Sequence, residues 1–162
     1  MLNGKDALES TVTKTVAGAG IIHIAAHGLF NEVDPERSGV ILSQAPDGNE
    51  DGYLEAHEIA QMNLSARLAI LSTCVSGVGY NYQGEGLIGL ARAFFAAGVP
   101  AFVGSTWYVD SAATTALMKE LHRALKEGKA VPQALKAASI ALRADRKYGE
   151  PYYWAAFSVI GR

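Results

Sequence analysis

Two apolar runs, IIHIAA at residues 21–26 and RLAILST at residues 67–73, decide the reading of this chain. Each is too short for a helix, and each runs directly into a reactive side chain: the first into His27-Gly28, the second into Cys74. Neither alternates apolar with polar residues, which is the pattern of a strand buried on both faces. Outward from them, residues 101–107 and 154–160 read as two further strands, and residues 38–42 as a shorter edge strand. Between these runs the apolar period lengthens to that of a helix. Residues 6–17 place Leu8, Val12 and Val16 on one face; residues 54–62 give a short helix; residues 86–97 carry Leu87, Leu90, Ala91 and Phe94, closed by Gly98. Asp110 caps a helix to residue 126 with Leu117, Leu121 and Leu125 at spacing four, and Pro132 opens the last helix. The prediction is an α/β fold with a mostly parallel sheet covered by helices on both faces. In such sheets the working crevice lies beyond the carboxyl ends of the strands. Three of those ends carry chemistry: His27, Cys74, and Trp107 with Asp110.

Length and composition narrow the function. At 162 residues the chain reads as one domain, residues 1–162. It opens inside structure with almost no leader, as the C-terminal part of a longer protein would. Fourteen basic against sixteen acidic residues leave −2, so no basic surplus is available for nucleic acid or an anionic membrane. The single cysteine forbids an intramolecular disulfide and suits a reducing, cytoplasmic compartment. MLNGKDALES has no apolar core of a signal peptide, and the long apolar stretch at residues 87–104 is interrupted by Arg92 and Pro100.

His27 and Cys74 suit one another chemically. A thiol is mostly protonated at neutral pH and becomes a strong nucleophile when an imidazole takes its proton. A lone cysteine is more often a small buried hydrophobe. The placement of Cys74 at the end of a strand, with a histidine ending a neighbouring one, favours catalysis instead. An unliganded dyad would hold Sγ and a ring nitrogen within about 4–7 Å. Gly28 presents no side chain to obstruct a substrate carbonyl, and backbone N–H groups at such strand ends can meet a developing oxyanion.

Together the blocks IIHIAAHG, SGVIL, DGYLEAHEI, LAILSTCVSG, GEGLIGLARAFFAAGVPAFVGSTWYVD and PYYWAAFSVIG resemble, in order, a CHAT domain of the caspase and separase type of cysteine peptidases. The resemblance implies a caspase-like three-layer sandwich. It implies His27 as the base of a Cys–His dyad, Cys74 as the nucleophile, and the amides of Gly28 and Cys74 as the oxyanion hole. It also implies a protein or peptide substrate, no required cofactor, and a tetratricopeptide-type repeat partner in cis or trans. In the related metacaspases an acidic residue two positions before the nucleophile reads a basic side chain; that position here is Ser72, so the preference does not carry over. The alternative is a non-catalytic CHAT-type module for protein–protein contact.

Other features have plainer readings. His23 reads as a hydrogen-bonded core histidine, and H-x-x-x-H at His23 and His27 lacks the zincin glutamate. G-x-G-x-x-G at residues 84–89 stands too far behind its strand to bind a dinucleotide. Trp107 and Asp110 can line a substrate cleft, or pack and cap. His122 reads as a solvated residue on a basic helix face. Asp47, Asn49, Asp51, Tyr53 and Glu58 fit the twelve-residue calcium loop, without the incoming helix, so Ca²⁺ is carried as an expectation of that pattern alone.

Overall fold

The run at residues 21–26 does not make one strand. The computed structural model describes residues 1–31, 33–75 and 85–161, with the side chains of residues 74, 75, 85 and 86 outside the description. Helix α1 (Glu9–Ala17) leads to β1 (Ile22–Ile24); the chain breaks at Ala25 and Ala26 and resumes as β2 (His27–Leu29). Strands β3 (Gly39–Ile41) and β4 (Tyr53–Glu55) follow, then α2 (Ala56–Ala60). The second apolar run repeats the interruption: β5 (Ala69–Leu71), a break at Ser72 and Thr73, then β6 (Cys74–Val75). The remainder is α3 (Glu85–Ala96), β7 (Ala101–Ser105), α4 (Ser111–Lys126), α5 (Val131–Arg143), α6 (Pro151–Trp154) and β8 (Phe157–Gly161).

One four-stranded sheet runs β1-β5-β7-β8, parallel except for β8; the other runs β4-β3-β2-β6, where only β2 and β6 are parallel. The two are joined through the paired breaks. Ile24 is registered with Leu71 before them and His27 with Cys74 after them, a spacing of 47 residues in both cases. The Ser72 N–H donates to the Ile24 carbonyl at 3.0 Å, carrying the ladder into the break.

Both faces of the main sheet are covered, which is why its strands do not alternate. Ala69, Leu71 and Phe102 pack toward α1, α2 and α3 with Val12, Ile59 and Phe94. Leu68, Ile70, Ala101 and Val103 pack toward α4 and α5, against Leu117, Leu121 and Ala138. The result is a three-layer sandwich of caspase type, as the resemblance implied. Among the described residues no helix is long and apolar enough to cross a membrane.

Four boundaries differ from the sequence reading. Residues 6–17 split into a 3-10 turn (Gly4–Asp6) and α1, because Leu8 is extended and bridges to Ser43. The helix read from residue 54 begins at Ala56, and the residues before it form β4. Gly52, at φ 72°, turns the chain, and Asp51 Oδ1 accepts the Tyr53 N–H at 2.8 Å. Gly39 then lets the Leu54 backbone approach closer than any Cβ would allow. Residues 107 and 154 also leave their strands: β7 ends at Ser105, and Pro151 starts the single turn of α6 before β8.

Asp110 caps α4 as read, its Oδ1 accepting the Ala113 N–H at 2.8 Å. Asp110→Ala is expected to lower stability by about 1 kcal/mol, measured by urea unfolding.

Candidate active site

The break in each apolar run sets the site. β2 is the parallel neighbour of β6, so the backbones of His27 and Cys74 lie directly opposite one another. His27 is exposed at the start of its strand, whereas Gly28 is buried between Val40 and Val75. A Cβ at Gly28 would meet Phe30 Cε2 at 3.1 Å and Thr73 Cβ at 3.3 Å. The position therefore requires a small residue for packing as well. Thr73, the residue before Cys74, is buried, and its carbonyl accepts from Ser105 Oγ at 3.4 Å. The thiol–imidazole distance, the turn after Cys74 and the start of the glycine motif at residue 84 lie outside the described residues.

A cleft of about 720 Å³ opens beside His27, between the broken strands and α4. Ala25, Ala26, His27 and Ser72 form one wall, and Thr114, Met118, Lys119 and His122 the other. Ser72 lines the cleft. Asp110 and Trp107 do not line it. Asp110 is spent on its cap, and Trp107 is 37 % exposed, with Nε1–H donating to the Tyr152 carbonyl at 3.2 Å.

Along the cleft lining runs an array that sequence reasoning only half found. His23 Nε2 lies 2.8 Å from Ser72 Oγ, and His23 Nδ1 lies 2.8 Å from His122 Nε2. His23 is the hydrogen-bonded histidine that was expected. His122 is not solvated as read: it is half-buried, with its ring inclined 26° to that of His23. Burial, and secondarily His122, lower the His23 pKa to about 4. Burial lowers that of His122 as well. Both rings are therefore neutral at pH 7, each offering one donor and one acceptor, and the array is satisfied with Ser72 either donating or accepting. The signal available beforehand was the stripe Thr114, Met118, His122, at spacing four beside the leucine stripe.

The calcium pattern does not gather. Asp47 Oδ1 and Oδ2 take the N–H and side-chain amide of Asn49, at 3.2 and 2.7 Å. Asp51 holds Tyr53, while Glu58 Oε2 accepts the Glu55 N–H at 2.8 Å in the capping box of α2. The Tyr53 hydroxyl donates toward the carbonyls of Leu29 and Arg37. Among the described residues no three His, Cys, Asp or Glu side chains form a cluster able to hold a metal ion.

A three-layer sandwich with histidine and cysteine opposite one another on parallel strands is a caspase-like arrangement. The chain belongs to the CHAT domain family, whose match covers residues 1–162. It is similar to tetratricopeptide repeat protein 28 of Mus musculus, 29% identical over 108 residues, which are 67% of this chain and 4% of that protein. It is also similar to tetratricopeptide repeat protein 28 of Homo sapiens, 27% identical over 128 residues, 79% of this chain and 5% of that protein. The chain thus spans only about one-twentieth of the length of these curated relatives.

Proposed function

We propose that this chain is a cysteine peptidase domain that hydrolyses peptide bonds in a protein substrate. The observation that carries the reading is the opposition of His27 and Cys74 across β2 and β6, beside an open cleft. In this mechanism His27 takes the Cys74 proton and the thiolate attacks the scissile carbonyl carbon. The amides of Cys74 and Gly28 meet the oxyanion. Imidazolium then gives its proton to the departing amine, leaving a thioester. Water, deprotonated by His27, attacks that thioester, and the thiol is regenerated. No metal or cofactor takes part. The names of the similar proteins support a tetratricopeptide-type repeat as the partner, in cis or trans; activation by that partner belongs to the peptidase reading. The single cysteine suits a reducing, cytoplasmic setting.

The test is labelling at neutral pH with a peptide acyloxymethylketone. One adduct is expected, at Cys74, and none on the Cys74→Ala chain. Labelling no faster after folding than in denaturant would leave the other reading, a CHAT module that binds proteins without cleaving them.

A further inference from the structure

One side-chain array in the molecule has the order of a nucleophile, its base and an orienting group, and it plays no part in the Cys74 mechanism. Ser72 is the first residue past the carboxyl end of β5, the edge of a parallel sheet where working groups gather. Its N–H donates to the Ile24 carbonyl at 3.0 Å, so backbone fixes its place. Its Oγ lies 2.8 Å from His23 Nε2, and His23 Nδ1 lies 2.8 Å from His122 Nε2. A hydroxyl, a base within hydrogen-bond reach and a third group holding that base are the parts that activate a serine. All three side chains line the same open cleft of about 720 Å³.

The ring tautomers allow this order to work. With His23 protonated on Nδ1 and donating to His122 Nε2, its Nε2 is left to accept from Ser72, and His122 carries its own proton on Nδ1. Both rings are neutral in that arrangement, the form that burial favours at pH 7. When His23 takes the serine proton, its Nδ1–H still meets an accepting ring nitrogen. His122 then does for the imidazolium what a carboxylate does in a Ser-His-Asp triad, without the negative charge. The missing charge sets the limit. Burial, and secondarily His122, hold the His23 pKa at about 4, so the ring is a weak base and its imidazolium a strong acid. Such a base suits an activated ester, whose leaving group departs readily, and not an amide. Ala25, Ala26 and Met118 give the cleft apolar surface for a short acyl chain. Ser111 and Lys119, on the α4 wall, carry donors for a developing oxyanion.

We propose that Ser72, His23 and His122 form a second acyl-transfer site, which hydrolyses activated carboxylic esters through an acyl-serine. Ser72 Oγ attacks the ester carbonyl carbon as its proton passes to His23 Nε2. The tetrahedral intermediate collapses, the bond to the leaving oxygen breaks, and the departing alcohol or phenol takes that proton. Water then attacks the acyl-serine and gives a proton to His23, which returns it to Ser72 Oγ as the acid is released. His122 touches neither acyl group nor leaving group; it is a positioning residue, acting through the His23 ring. The site uses neither His27 nor Cys74 and does not rest on the peptidase reading.

Labelling and turnover test it. The wild-type chain is treated at pH 7 with an alkyl fluorophosphonate, which phosphonylates an activated serine with loss of fluoride, and the adduct is mapped by mass spectrometry. One adduct is expected, at Ser72, and none on the urea-unfolded chain. Hydrolysis of p-nitrophenyl butyrate is then followed on the Cys74→Ala chain, which has no thiol because the sequence has one cysteine. Adding Ser72→Ala or His23→Gln to that chain should each lower kcat/KM about a hundredfold, the low end of what a general base supplies. The two together should cost no more than either alone, since they act as a unit. His122→Leu should lower kcat roughly tenfold at constant KM, the scale of one lost hydrogen bond, and His122→Asn, whose side-chain oxygen can accept from His23, should recover most of it. Melting temperatures accompany each variant, and the adduct is read on a chain that keeps all three residues, so the result does not depend on a variant folding. No adduct at Ser72, turnover indifferent to Ser72→Ala, or turnover no greater than that of the unfolded chain would each overturn the proposal. If Ser72 reacts while the ketone leaves Cys74 untouched, the peptidase reading fails alone; the reverse result removes the ester site alone.

Discussion

Replacing His27 by alanine is expected to lower kcat/KM for peptide hydrolysis by roughly a hundred- to ten-thousand-fold, the range of a lost general base. Stability should barely change. His27 is exposed at the start of β2, and exposed substitutions generally stay within about 0.5 kcal/mol. The pairing of β2 with β6 and β3 is made by backbone, which alanine keeps. Steady-state rates and a urea unfolding curve on one preparation check both halves. Near-normal turnover by the variant would exclude His27 as the base. Lost activity together with a large fall in the unfolding midpoint would show a structural role instead.

Acid should destabilise the fold through the histidine array. His23 takes its proton at about pH 4 when folded and near pH 6.5, the ordinary value, when unfolded. The unfolded chain therefore binds more protons between those limits. The contribution is complete above about pH 6.5 and is lost as pH falls through about 4. Discounted for partial contact with solvent, the loss is of the order of 2 kcal/mol. His122 adds to it with the same sign, since burial lowers its pKa too. Urea midpoints between about pH 7 and pH 4 measure the slope, and His122→Asn should flatten it. A slope unchanged in that variant would mean that His122 carries none of the acid sensitivity.

Much of this architecture was legible because apolar spacing reports burial. The apolar runs at residues 67–73 and 101–107 contain β5 and β7, strands buried on both faces, and the leucine stripe of α4, with Asp110 as its cap, reads directly as a packed helix. His27 and Cys74 were read as the ends of two strands; their backbones do lie opposite one another, but as the first residues of β2 and β6, beyond the breaks. What escaped was set by tertiary contact. A pattern of three residues cannot distinguish β4 from the first turn of a helix; the close approach of Gly39 decides it. His122 looked solvated because its sequence neighbours are charged. Only the docking of α4 against the outer strand brings it to His23. The acidic loop matched a calcium signature residue by residue. Its carboxylates nonetheless serve backbone and side-chain donors of their own turn and of the α2 cap, which spacing alone cannot reveal.

The matched interruptions at residues 25–26 and 72–73 bear on how such a chain can vary in length. Side chains along a strand alternate between faces, so one extra residue in either break would turn everything beyond it over. An insertion after Ala25 alone would send the imidazole to the opposite face and put Gly28 out of step with Val75. The same insertion after Ser72 alone would do this to the thiol. Equal insertions in both would leave the histidine and the cysteine opposite one another, because the 47-residue interval is common to the two segments. Length changes at this hinge are thus tolerable only as compensated pairs, which makes it a frame-locked joint where the surface loops are free to drift.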